Sequence, residues 1–153
     1  MQYRNTLCYS VLAAAIVFSF QALADNLAIT GPGAGADGSG KASGTSYGNV
    51  RDADMQSYWQ APANNGQRVS VKWSSAVSAS RVVVRELGNA VTSWQLVNND
   101  NGAVLASGSA LGSAKTIDFT TVNTSKLNLN IVSASSAARI AEFEVYQDGG
   151  NTP

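Results

Sequence analysis

The residues of this chain best suited to chemistry lie in Val50 to Trp59, VRDADMQSYW. Two carboxylates, Asp52 and Asp54, stand two residues apart, with a hydroxyl at Ser57 and a bulky apolar side chain at Trp59. Carboxylate and hydroxyl oxygens at that density are what a hard cation takes, and the aromatic would dock the loop on a β core. The same residues also describe a solvated turn leading into a strand, because Asp bonds its own backbone two residues on. Both readings are open on this stretch alone. The remaining catalytic vocabulary is thin. Histidine is absent, which removes the usual general base of triads, the commonest zinc ligand and the usual pH switch.

The chain that must position these residues has 153 positions. Arg4, the apolar run from Val11 to Phe20 and Ala22-Leu23-Ala24 before Asp25 form the pattern of a cleaved signal peptide over residues 1–24. That run is short for a bilayer span. Thr6 and Leu7 precede Cys8, the single cysteine, so a lipid anchor is not expected. The expectation is a secreted or periplasmic protein whose mature part has no thiol and is held by its core. Residues 25–147 fit one domain, and residues 148–153, ending Gly149-Gly150-Asn151-Thr152-Pro153, read as a linker-like tail. Without Arg4, nine Lys/Arg face ten Asp/Glu. That balance offers no drive toward nucleic acid, and with no apolar-basic cluster a membrane partner is not expected.

Asn26–Thr30 reads as a short strand, and residues 31–48, rich in Gly, Ser and Ala, as an irregular lead-in loop. From Val69 the pattern has period two: Val69, Val71 and Trp73 face one way, Ser70 and Lys72 the other. Arg81–Arg85 (RVVVR) and Thr92–Val97 (TSWQLV) follow as strands. Asn98 to Gly102 supplies a turn, with Asn-Gly favoured for positive φ, and Ala103–Ser107 completes a hairpin. Thr116–Phe119, Lys126–Val132 and Arg139–Tyr146 continue the series; in the last, Ala141, Phe143 and Val145 turn inward and Glu142 and Glu144 outward. No stretch sustains a helical period with caps. Roughly eight short strands between Gly/Asn/Ser turns predict an all-β, single-domain antiparallel sandwich of jelly-roll type.

Four blocks, in order, resemble one family. VRDADMQSYW resembles the "A-V-D-G-D-x-x-T-x-W" loop of discoidin, or factor V/VIII type C, domains. QRVSVKWSSAVSASRVVVRE resembles their paired strands, VTSWQLVNNDNGAVLASG the next hairpin, and KLNLNIVSASSAARIAEFEVY the closing "I-A-E-F-E-V-Y". The match covers about Asn26 to Tyr146, and its wording is similar to bacterial family 32 carbohydrate-binding modules. The resemblance implies an eight-stranded, galactose-binding-like jelly roll with a structural calcium ion. It implies that Asp52, Asp54, Ser57, the carbonyl of Ala141 and Glu142 hold that ion. Ala53 stands where the family usually has glycine, and Trp73-Ser74 after Lys72 where it usually has Leu-Gly after an aspartate.

The expectation is therefore a non-catalytic module that binds a polysaccharide or glycan, pectic or galactose-containing as the first guess, alongside a catalytic module or enzyme of the same system. The alternative is a cell-surface adhesion or protein-interaction domain on the same fold. Trp59, Trp73 and Trp94 are read as core. Ligand-binding candidates are Tyr47, Arg51, Tyr58, Asn99, Asp100 and Arg139, with Arg85 if exposed. An enzyme would need a carboxylate pair from Asp52, Asp54, Glu142 and Glu144, three of which the calcium reading already uses.

Overall fold

A computed structural model describes residues 15–16 and 24–147. The signal-peptide reading and the linker-like tail thus lie almost wholly outside the described residues. Seven strands carry the described fold: β1 (Gly35–Gly38), β2 (Trp59–Gln60), β3 (Gln67–Glu86), β4 (Val91–Asn98), β5 (Val104–Gly108), β6 (Lys115–Ala134) and β7 (Arg139–Tyr146). Every pairing is antiparallel, and the strand order is β2-β7-β3-β6-β4-β5 with β1 on β3. This is the all-β sandwich that the alternation predicts.

The strands differ from the predicted eight because two predicted pairs are continuous, Leu27–Thr30 is helical, and two short strands, β1 and β2, are added. The Val69 and Arg81 segments join as β3, and the Thr116 and Lys126 segments join as β6, each 20 residues long. Their mutual register breaks between Lys72 and Val77 and again between Ala79 and Arg81. Such irregularities let a strand bend and pass from one layer to the other. Residues 67–72 of β3 and 126–131 of β6 join β1, β4 and β5 in a first layer, whereas residues 81–86 and 115–118 join β7 and β2 in a second.

Period-two patterning fills the space between the layers. Val69, Val71, Val82, Val84, Leu96, Leu127, Leu129, Ile131, Ile140 and Phe143 are all fully buried in one cluster. The three tryptophans belong to it as well, and each also pins an irregular segment through its indole N–H. Trp59 donates to the Gly40 carbonyl at 2.9 Å, Trp73 to Leu27 at 2.7 Å and Trp94 to Ala110 at 3.2 Å. A buried indole keeps its apolar payload only if the N–H finds an acceptor. Gly31 lies against the Trp73 ring so closely that a Cβ there would sit 2.4 Å from its Nε1, which explains a glycine after the helix.

Two predicted segments are corrected. Asn26–Thr30 is not a strand: Leu27–Thr30 forms a single-turn helix, α1. The Asn26 side chain caps it by accepting from the Ala28 N–H at 3.1 Å, and the same oxygen accepts from the Val145 N–H of β7 at 3.0 Å. The lead-in loop is not wholly irregular either. Gly35–Gly38 pairs with Val69–Lys72 as an edge strand, although its Gly-Ala-Asp-Gly sequence has almost no strand propensity. A 3-10 turn, Tyr47–Arg51, then buries Val50 and leads into the acidic loop.

Candidate functional site

The acidic loop is first a pair of consecutive Asx turns. Asp52 Oδ1 accepts from the Asp54 N–H at 3.0 Å, and Asp54 Oδ1 accepts from the Gln56 N–H at 2.8 Å. The Ser57 hydroxyl donates to Asp52 Oδ2 and lies 3.2 Å from the Asp54 carbonyl. Between the two aspartates Ala53 takes φ 59°, the only positive φ among described residues other than glycine. Alanine in that region costs on the order of 1–2 kcal/mol. The loop therefore adopts the backbone that glycine would favour, and does so under strain.

Glu142 meets this loop from the closing strand. β7 carries a register irregularity opposite Arg85 and Glu86, and Ala141 is its one residue without a cross-strand Cα partner. A bulge of that kind re-aims the side chains beside it. Four consecutive residues, Ile140 to Phe143, are buried, so the simple alternation predicted for β7 holds only partly. Glu142 is 3% exposed, no donor reaches its carboxylate oxygens in good hydrogen-bond geometry, and the groups it faces are the Asp52 carboxylate and the Ala53 amide. Burial, then the facing Asp52 carboxylate, then Glu144 push its pKa up to about 8. For Asp52 burial acts upward too, but the Ser57 hydroxyl and the Asp54 amide outweigh it and hold that carboxyl below the ordinary value.

These observations bear on whether the residues suit a cation. Among the described residues no three His, Cys, Asp or Glu side chains gather as a metal centre, so a site here would draw on backbone and hydroxyl oxygens beside two carboxylates. Calcium accepts such a mixed set. The buried Glu142 carboxyl facing the Asp52 carboxylate is the fitting observation, because two acids so placed are costly unless a proton or a cation neutralises them. Asp52, Ser57, Glu142 and the unpaired stretch at Ala141 converge here. Asp54 is exposed, and its Oδ1 is engaged by the Gln56 N–H.

The ligand-binding candidates do not converge. Arg51 Nε donates to the Ala28 carbonyl at 2.6 Å, and Tyr47 packs over Gly38, so both brace the N-terminal segment. Tyr58 and Arg139 do meet, with the guanidinium 5.6 Å from the ring centroid. Whereas Arg139 belongs to β7 of the second layer, Asn99 and Asp100 lie in the β4–β5 turn of the first. There Asp100 accepts from the Ser125 N–H and hydroxyl, both at 2.7 Å, and Asn99 accepts from the Asn128 amide at 3.0 Å. Arg85 is engaged by Glu144 at 2.8 Å, and Glu144 also accepts from the Tyr146 hydroxyl, so Glu144, predicted to face outward, is held in a partly buried ion pair. Sequence reasoning missed Glu86, which is 3% exposed and caps the next loop by accepting from Ala90 and Val91. It follows RVVVR as if in a solvent-facing turn, and only the folded loop reveals its use.

No protein-family model matches the chain, and no curated protein sequence matches it. Its fold is nevertheless shared with solved carbohydrate-binding modules. One is chitosan-binding module 1 of a Paenibacillus chitosanase/glucanase, at 21% identity and TM-score 0.71, covering 80% of this chain and 99% of that one. Another is the family 32 module of Clostridium perfringens NanJ in complex with galactose, at 19% identity and TM-score 0.67, covering 74% and 93%. A Ruminococcus gnavus fucosidase in complex with fucose also contains the fold, at 18% identity and TM-score 0.65, but this chain spans only 26% of it. The galactose-binding-like β-sandwich is thereby the fold of this protein.

Proposed function

We propose that this chain is a secreted, non-catalytic module that binds a polysaccharide or glycan and carries a structural calcium ion. One observation supports the binding role above others: the sandwich is nearly coextensive with chains whose names describe them as sugar-binding modules, at 99% and 93% of their lengths. The carboxylate geometry supports the same reading. Glu142, the acid pushed up to about 8 against Asp52, is only 3% exposed. Glycoside hydrolysis needs its two carboxyls on either side of an accessible sugar bond.

In this reading Asp52, Asp54, Ser57, the Ala141 carbonyl and Glu142 would hold the cation, which would supply positive charge to the buried Glu142 and tie the acidic loop to β7. The protein's own part is to bury Glu142 at the bulge and to bend the loop over it at Ala53. Pectic or galactose-containing glycans are the first ligands, and a catalytic module of the same system is the natural partner. Affinity electrophoresis of the purified protein against galactan, pectin and chitosan, with and without chelator, tests this. Retardation by at least one polymer is expected; migration unchanged in all of them would overturn the binding role.

A further inference from the structure

The outer face of the first layer carries charge and amides that the calcium reading leaves unused. Arg68 and Lys72 project from β3 on the face opposite the core, and Lys126 lies opposite Lys72 on β6. All three surround one acid, Asp37 of β1. Lys126 Nζ is 2.9 Å from its carboxylate, Lys72 Nζ 3.1 Å and Arg68 Nη2 3.7 Å. Burial raises the Asp37 pKa, but bonds and charge from Lys126 and Lys72 more than compensate and hold it below the ordinary value. Three cations on one carboxylate leave a local surplus of two positive charges on a chain whose overall balance is zero.

Polar groups without partners run beside this surplus. Arg68, Asn130, Gln95 and Ser107 are in cross-strand register over β3, β6, β4 and β5. The Asn130 and Gln95 amides have no partner among the described residues, and Arg68 Nε is buried and unbonded. Three inter-strand gaps span about 14 Å, the length of a short oligosaccharide. Between this row and the lysines, Ser70 and Asn128 bond each other at 2.7 Å and are buried. Amides offer both a donor and an acceptor, which suits sugar hydroxyls, and the cations suit carboxylates.

We propose that this face, with Arg68, Lys72 and Lys126 beside Asn130 and Gln95, binds an anionic polysaccharide whose carboxylates pair with the cations while its hydroxyls meet the amides. The inference rests on the sugar-binding reading and narrows its ligand to a polyuronate lying across the strands. The test is titration calorimetry of the purified protein with an oligogalacturonate, beside a neutral galactan oligosaccharide and chitotriose. Oligogalacturonate should bind, and bind more weakly as salt rises. Lys72→Gln, at the most exposed of the three cations (48%), should weaken it about threefold, and Arg68→Gln/Lys72→Gln about tenfold. Lys72→Arg should keep the affinity, and a melting curve of each variant confirms folding.

Oligogalacturonate binding unchanged in the folded double variant would overturn the assignment to this face. Binding of galactan or chitotriose without oligogalacturonate would overturn the polyuronate while leaving the sugar-binding role standing. Binding of none of the three would overturn both. Association with vesicles of anionic phospholipid in place of oligogalacturonate would assign the face to a membrane and overturn the proposal.

Discussion

The outer faces of the two layers are made largely by the same two strands, yet they carry opposite chemistry. On the second layer, Glu142 and Glu144 of β7 and Asp118 of β6 share the face with Arg81 and Arg85, and the acidic loop closes over Glu142. Acids outnumber bases there, and one acid, Glu142, is buried facing the Asp52 carboxylate. On the first layer three cations share one acid. The difference is local: Glu142, 3% exposed under the acidic loop, must be neutralised from within or by a bound ion, whereas Lys72, 48% exposed, keeps its charge toward solvent.

Calcium should separate the two faces most strongly. If the second face holds the ion, calcium at one hundred times its dissociation constant adds about 2.7 kcal/mol of stability, read as a rise in melting temperature that chelator reverses. Glu142→Gln should abolish that rise, and Lys72→Gln should leave it intact. An equal rise in the Glu142 variant would break the assignment of the cation to this face.

Titration of the metal-free protein should then show opposite signs for Glu142 on the second face and Asp37 on the first, with Asp52 of the second face following Asp37. Glu142 has a folded pKa of about 8, above its ordinary 4.5. The folded state thus holds the extra proton between those values, and stability falls as pH rises from about 4.5 to 8. Asp37 is depressed below 3.8, so its contribution is present above that value and is lost as pH falls through its folded pKa. Urea midpoints taken from pH 3 to 9 in chelator test both. Glu142→Gln should flatten the upper slope alone, and a slope that persists in that variant would count against the buried acid as its source.

Smaller effects sharpen the picture. Ala53→Gly should relieve the left-handed backbone and stabilise the protein by about 1 kcal/mol; destabilisation would mean that the alanine methyl is needed against the loop. On the first layer, Lys72→Gln should change stability by less than about 0.5 kcal/mol, since Lys72 is 48% exposed and Asp37 keeps Lys126 at 2.9 Å. A loss above about 2 kcal/mol there would make the cationic cluster part of the fold's support rather than a surface held for a ligand.

Much of the architecture was legible from local pattern. Alternation marked Val69, Val71 and Trp73, and Leu127, Leu129 and Ile131, as inward-facing, and all are buried. The three tryptophans read as core and are core. The β4–β5 hairpin stands where Asn98 to Gly102 predicted it, with Gly102 alone of the turn at positive φ. Segments whose fate depends on a distant partner were not legible. Gly35–Gly38 becomes a strand only because β3 presents an open edge, and Leu27–Thr30 becomes a helix because Asn26 caps it while holding β7.

The same division holds for the sites. Residue types and order alone determined an antiparallel sandwich, an acidic loop built on Asx turns and a short list of acids able to share a cation. Only the tertiary structure decided that the β7 bulge buries Glu142 against the Asp52 carboxylate, that Arg51, Arg85 and Asp100 are spent on internal bonds, and that Arg68, Lys72 and Lys126 converge on Asp37. Period-two patterning says which side of a strand a residue faces. Which strands lie beside it, and what covers that face, depend on pairings made across dozens of residues.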